Sequence, residues 1–403
     1  MPLISTLYLT RNGLLEPLGQ SQVMAYLRGL SHQYVITLIT YEKPEDWANT
    51  DAMARARADC EAHGIRWLPQ QFHRHPKIIA PVLSMIRMTW LVRREVQRED
   101  VRLLHARSYI PATVALLVNR LTGVPFIFDM RALWPEELIT AGRLRRGSLL
   151  HRAIARAEQM CLANAARVVS LTHAAANYLK STYPAELKNQ RLVVIPTCAD
   201  LDRFTPTVDK HVGPTVYGCI GTVLSGWFRT DWLSSWMRVV AARDPDAQFK
   251  IVTRDDACQV RAALDPVNEL DRRLNIGPRL SVEMPDAVRS HSLSVMFYAG
   301  GEISELGRSP TRMAEVLACG LPVVVNEGVG DVATIVRENN VGVIVDGGSV
   351  RDMETAFDSL QTLMKDPDLP RRCRATAEAI FSLETGTKAY RDTYVSILNS
   401  KDT

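Results

Sequence analysis

The residues best placed to do chemistry lie in one stretch, GRSPTRMAEVLACGLPVVVNEGVGD, residues 307–331. Ser309 is a good N-cap type and Pro310 suits a first helical turn, so a helix is predicted to open here and run to about Cys319. Gly320 ends it, and Pro322 leads into a buried strand. The start of a helix offers unpaired N–H groups and a partial positive charge to phosphate or sugar oxygens. Arg312 falls in the first turn, where a cation opposes the helix dipole and calls for an anionic partner. Glu315 lies one turn further along the same face, where a carboxylate can accept from two neighbouring hydroxyls such as those of a ribose. The plain alternative is an i,i+3 Arg–Glu surface pair worth a few tenths of a kcal/mol.

Other candidates follow the predicted strands. Gly13 and Gly19 in RNGLLEPLGQSQ sit after the first strand, where glycine lets a ligand approach the backbone. Their spacing matches neither the dinucleotide fingerprint nor a P-loop. HARSY (105–109) should reach the carboxyl end of its strand, with a buried His bonded to backbone as the alternative for His105. Asp129 and Arg131 end another strand. Asp129 is the candidate to bind or deprotonate an acceptor hydroxyl, against the alternative of an Asp–Arg salt bridge that shapes the loop. The DPD triplets at 244–246 and 366–368 occupy connections where Asp-Pro makes turns, so no metal site is expected.

Short apolar runs alternate with amphipathic helical stretches, and the pattern occurs twice. Strands are predicted at 3–9, 35–40, 103–107, 125–130, 166–172 and 191–196. Helices are predicted at 21–30, 78–97, 111–121 and 148–164. The second half restarts with strands at 215–221, 249–253, 280–284, 293–298, 322–326 and 342–345. A helix from about Asp352 to Lys365 and two C-terminal helices through Asn399 follow. This grammar predicts an α/β protein of two facing doubly wound, Rossmann-like domains, with a cleft at the carboxyl ends of both sheets. The Pro/Thr/Asp-rich segment 196–215 reads as the linker.

At 403 residues, with 46% hydrophobic and 23% charged residues, the composition is that of a soluble two-domain globular protein. No run of eighteen apolar residues suggests a membrane span, and MPLISTLYLTRNG reads as a buried strand rather than a signal peptide. The seven cysteines are scattered and include no CxxC, which excludes a disulfide framework and a zinc site and places the protein in the cytoplasm. Residues 1–200 carry 25 Lys+Arg against 16 Asp+Glu. Subtraction from the totals of 48 and 44 leaves 23 against 28 for residues 201–403. The basic first half is the one expected to meet something anionic.

The segment SPTRMAEVLACGLPVVVNEGVGD resembles the donor-binding motif of glycosyltransferase family 4, whose members have the GT-B fold. EPLGQSQVMAYLRGL (16–30), FDMRALWPEEL (128–138), IPTCADLDRF (195–204) and YRDTYVSIL (390–398) resemble one branch of that family, so the likeness spans nearly the whole chain. It implies an acceptor-side domain at 1–200, a donor domain at 206–380, and a last helix at 381–403 crossing back. By that likeness Glu315 holds the nucleotide ribose. Ser309, Pro310, Thr311 and Arg312 line the diphosphate and sugar pocket, and Gly19, Gln20 and Ser21 cover the donor phosphates. His105 meets the sugar, Arg107 stabilises charge on the leaving phosphate, and Arg229, with Arg254 as a weaker candidate, takes the diphosphate. Asp129 and Arg131 lie on the acceptor side. Many members carry a second glutamate eight residues before the first, and here that position is Gly307.

The implied reaction is transfer from a nucleotide diphosphate sugar, with UDP the favoured nucleotide and the anomeric configuration retained, onto a glycan, lipid-linked or small-molecule acceptor in polysaccharide or glycoconjugate synthesis. No cofactor, metal or nucleic acid is implied. Alternatives of the same architecture are a nucleotide-sugar epimerase or hydrolase and a non-catalytic binding protein. Residues 74–98 and 143–159 combine apolar residues with arginines, the pattern of helices lying on an anionic membrane, here the inner face of the cell membrane. The alternative for both is a core helix with arginine on its wet face.

Overall fold

The computed structural model describes residues 3–72, 79–188, 191–207 and 213–399. Residues 208–212 of the predicted linker and the start of the basic 74–98 stretch lie outside them. The chain divides into two units. One is Met1–Pro196 together with Leu383–Thr403, and the other is Thr197–Ser382.

The first unit is built on a seven-stranded parallel sheet. Its strands are β1 (Ile4–Thr10), β2 (Tyr34–Glu42), β3 (Ile65–Gln71), β4 (Leu103–Arg107), β5 (Phe126–Asp129), β6 (Arg167–Ser170) and β7 (Leu192–Val194), in the order β3-β2-β1-β4-β5-β6-β7. β4 and β5 are buried along their whole length, as parallel strands covered on both faces must be. Strand order reverses between β1 and β4, the place where such sheets bind ligands. Thr10 there pairs with Arg107, and Arg107 with Asp129. The final helix, Leu383–Leu398, belongs to this unit and packs on the helix Ala25–Leu30. Gly29 permits that approach, since a Cβ there would stand 2.6 Å from the Thr387 methyl.

The second unit holds β8 (Val216–Ile220), β9 (Gln248–Val252), β10 (Leu274–Gly277), β11 (Leu293–Met296), β12 (Val323–Asn326) and β13 (Gly342–Val345), all parallel in the order β10-β9-β8-β11-β12-β13. Trp236, Phe249, Phe297 and Phe357 belong to one buried cluster, and Met313, Val316, Leu317 and Phe381 to another.

The strands depart from the sequence pattern at three places. LSVEM (280–284) is not a strand: Ser281–Glu283 is a 3₁₀ turn leading into the helix Met284–Arg289, with Pro285 in its first turn and Leu280 and Val282 exposed. The strand is instead the preceding LNIG, too short to register as a run. β3, IRWLPQQ, was not anticipated because it contains Pro69, which an edge strand tolerates.

His291 is buried against Gly218 of β8, where a Cβ would fall 1.8 Å from the ring Nδ1. Nδ1 meets Ser294 Oγ at 3.2 Å, and Nε2 has no partner among the described residues. Burial, followed by the charge of Lys250, lowers the His291 pKa to about 4. The Gly218→Ala variant should lose about 1–3 kcal/mol by overpacking, measured by denaturant unfolding. The folded state also binds fewer protons than the unfolded chain. Stability should therefore be full above the ordinary histidine range and fall by roughly 3 kcal/mol as pH drops towards 4, levelling below it. A His291→Asn variant should flatten that slope.

Candidate active site

At the switch point of the first unit, the ends of β4 and β5 bring together a buried charged cluster. Asp129 is fully buried. Arg107 Nη1 lies 3.5 Å from its Oδ2 and Arg131 Nη1 lies 3.7 Å from its Oδ1. The Tyr390 hydroxyl donates to Asp129 Oδ2 at 3.1 Å and accepts from Arg131 at 3.3 Å. Arg131 also reaches Gln22 Oε1 at 3.5 Å. His105 is buried under the Tyr8 ring, with centroids 4.3 Å apart. Its Nδ1 lies 2.8 Å from the Tyr394 hydroxyl and its Nε2 lies 3.4 Å from Asp129 Oδ2.

Burial pushes the Asp129 pKa up, but Arg131, the His105 hydrogen bond and Arg107 outweigh it and hold the carboxyl at about 2. Burial lowers the His105 pKa against the pull of Asp129, so the ring is neutral. With Asp129 ionised, Nε2–H of the neutral ring donates to its Oδ2, and Nδ1 accepts from the Tyr394 hydroxyl. The cluster therefore sets two guanidiniums against one carboxylate. Among the described residues, Arg107 Nη1 and Asp129 Oδ1 have no hydrogen-bond partner. Ser108, directly beyond β4, and Arg131, two residues beyond β5, adopt φ of 78° and 60°, conformations that cost a non-glycine residue about 1–3 kcal/mol.

This geometry changes several expectations. A buried carboxyl with pKa about 2 is poorly suited to deprotonate a hydroxyl, and Asp129 takes the ion-pair role with Arg131 and Arg107. His105 is neither open to a sugar nor bonded to backbone; tyrosines of the last helix hold it. Gly19 is buried, and the close approach it permits is by its own loop, since a Cβ would lie 2.2 Å from Gly13 O. Gln20 Nε2 donates to Leu14 O and Ser21 Oγ to Pro17 O, so both polar side chains serve the turn. The loop is pinned by Glu42 at the end of β2, whose buried carboxylate accepts from Leu14 N at 2.8 Å and Thr40 Oγ1 at 2.6 Å.

In the second unit the helix Thr311–Ala318 begins one residue later than expected. Pro310 is its N-cap residue, and Ser309 Oγ instead accepts from Thr197 N at 3.1 Å. Gly320 follows it with φ of 77°. Thr311 is half-buried in the first turn. Arg312 and Glu315 form the i,i+3 ion pair. Glu315 is buried, and desolvation raises its pKa against the pull of Arg312. Arg229 occupies the N-cap position of the helix Thr230–Arg243 without a side-chain cap bond, stacks on Trp232 and is held bidentately by Asp231 at 2.7 and 2.9 Å. Arg254 is exposed beyond β9.

The two glutamates near Gly307 differ in their surroundings. Glu302 is exposed, whereas Glu305 is buried and takes Arg308 Nη2 at 2.9 Å. Arg308 lies over both Trp227 and Tyr298, 5.5 Å from each ring. Sequence reasoning missed this clamped arginine, as it missed Tyr390, Tyr394 and Glu42. The visible signals were two tyrosines four apart in the final helix and a glutamate closing an apolar strand. Among the described residues no three His, Cys, Asp or Glu side chains gather as a metal-ligand set.

Two parallel α/β units of this kind define the GT-B architecture. Residues 21–203 match the family model Glycosyltransferase Family 4, and residues 214–364 match Glycosyl transferases group 1. The chain belongs to glycosyltransferase family 4. D-inositol 3-phosphate glycosyltransferase of Rhodococcus opacus is 25% identical over 291 residues, 69% of this chain and 63% of that protein. The chain thus spans less than two thirds of that curated relative's length. Among solved structures, sucrose-phosphate synthase of Thermosynechococcus elongatus has a TM-score of 0.70 at 15% identity, covering 99% of this chain and 100% of that one. Anabaena HepE in complex with UDP and glucose has a TM-score of 0.68 at 13% identity, covering 98% and 100%.

The Tyr390→Phe variant should lose about 1–3 kcal/mol of stability, because it leaves the buried Asp129 and Arg131 without a shared partner. Denaturant unfolding of the full chain checks this, and a variant as stable as the parent would show that the hydroxyl contributes nothing to the cluster.

Proposed function

We propose that the protein transfers a sugar from a UDP-sugar to a glycan, lipid-linked or small-molecule acceptor, with retention of anomeric configuration and without a metal ion. The observation that carries this reading is Glu315. It is a buried carboxylate one turn into the helix Thr311–Ala318, inside the segment that resembles the family's donor motif. Arg312 donates to its Oε2, and the carboxyl group suits two vicinal ribose hydroxyls. The backbone amides of Thr311 and Arg312 then serve the diphosphate through the helix dipole. The UDP bound to Anabaena HepE supports uracil as the base.

The first unit takes the acceptor side. Arg107 and Arg131 exceed the charge of Asp129, and that excess suits negative charge on an acceptor or on the departing phosphate. In this reading Arg308 joins Arg229 as a diphosphate candidate, each guanidinium being held by one carboxylate, Glu305 or Asp231, and by aromatic rings. The name of the Rhodococcus relative, an inositol phosphate glycosyltransferase, supports an acceptor that is itself anionic.

A thermal-shift panel with UDP, GDP, ADP, dTDP and UDP-sugars, with and without EDTA, tests the donor and the metal together. Selective stabilisation by uridine nucleotides, unaffected by EDTA, is expected. Loss of the shift on chelation overturns the metal-free reading, and product from the donor alone at the rate seen with acceptors favours an epimerase or hydrolase. The Glu315→Ala variant should bind donor about 10–100-fold more weakly, as expected for lost hydrogen bonds to a charged group. Near-normal kinetics would remove Glu315 from the site.

A further inference from the structure

Three helices of the first unit, Ile79–Arg98, Tyr109–Thr122 and Leu149–Asn164, connect strands that step in one direction across the sheet. Right-handed crossovers therefore place them on one face. That face is unusual in what it leaves to solvent. Ile86 is 59% exposed and Trp90 62%, with Leu83 on the same stripe of the first helix, one or two turns apart. Leu121 ends the second helix, and Leu149, 84% exposed, and Leu150 open the third. Core packing, the alternative for the 74–98 stretch, accounts for Met88, Val92 and Val96 on the buried side of the first helix but not for this stripe.

The charged side chains that these helices expose are all cations. Arg87 and Arg93 on the first helix, Arg120 on the second and Arg152 on the third are exposed. Among the described residues none of the three helices exposes an aspartate or glutamate, because Glu95 and Glu158 are both buried. A surface that pairs large apolar side chains with single-sign charge is complementary to a layer that is anionic outside and hydrocarbon beneath. Long arginine stems can reach headgroup phosphates while tryptophan and isoleucine enter the acyl boundary.

We propose that this face docks the protein on an anionic phospholipid bilayer, with Ile86, Trp90 and Leu149 inserting and the surrounding arginines taking the headgroups. No helix among the described residues is long and apolar enough to cross a membrane, so the contact is peripheral.

The test is co-sedimentation of the full chain with vesicles of phosphatidylcholine alone and of phosphatidylcholine mixed with phosphatidylglycerol, at low and high salt. Binding should require phosphatidylglycerol and weaken with salt. The Trp90→Ser/Leu149→Ser variant should bind about tenfold or more weakly, and Arg87→Glu/Arg93→Glu should remove the preference for anionic lipid. Because all four positions are exposed, the parent's melting temperature should be kept in both. Absence of parent binding to the anionic vesicles overturns the proposal. So do variants that bind as the parent does, or a dimer in light scattering that Trp90→Ser dissolves, which would assign the face to a second copy of the chain. Vesicle binding is read without donor or acceptor, so its failure leaves the transferase reading untouched.

Discussion

The ionised carboxylate of Asp129, held with no exposure to water, is the constraint on which the first unit depends. A buried charge is tolerated only when partners repay its lost hydration, and removing one partner of such a group is strongly destabilising. Here the repayment comes from Arg107 at the end of the neighbouring strand, Arg131 two residues on, His105, and Tyr390 from 261 residues away in the chain. The last helix is therefore part of the first unit's interior rather than an appendage. Tyr390 and Tyr394 close the cluster from that helix, and Gly29 and Thr387 let it approach closely enough to do so.

The same device recurs at the first loop of each unit. After β1, the Leu14 amide is accepted by Glu42 from the end of the adjacent β2. After β8, the amides of Val223 and Leu224 are accepted by Asp255 just beyond the adjacent β9, at 2.7 and 3.0 Å. In both cases a carboxylate from the second strand fixes the turn that follows the first. A loop whose amides are already satisfied cannot offer those donors to a phosphate without breaking a charge-assisted bond. In the proposed function, anion binding is left to other groups, the helix start at Thr311 and the arginines. This is a physical reason for the glycines of RNGLLEPLG to serve loop packing instead of ligand approach.

The double α/β grammar was legible because most strands are apolar runs buried on both faces, a pattern that survives without knowledge of partners. β3 and β10 escaped because one carries an edge proline and the other spans four residues, while LSVEM mimicked a strand by alternation alone. Site residues were less legible, for a different reason. The motif located Arg312 and Glu315, but not that Ser309 would turn to Thr197 and surrender the cap to Pro310. Asp129 could be found at a strand end, yet its protonation state depends on Arg131, His105 and Arg107 acting together, and its hydrogen bonding on a tyrosine near the far terminus. Residue type and spacing report what a group can do; its pKa is set by neighbours that only the fold assembles.

The positive balance of the first half resolves into two populations of arginine with different physics. Arg107 and Arg131 are withdrawn from water, where a guanidinium keeps its charge and presents a fixed fork to whatever anion replaces solvent. Arg87, Arg93, Arg120 and Arg152 stand in water beside exposed apolar side chains, where each alone is worth little and only their common sign and common face make a field. A net charge read from sequence sums these populations and hides the distinction. Burial separates them, placing the first pair at the sheet's carboxyl end and the second set on an extended surface.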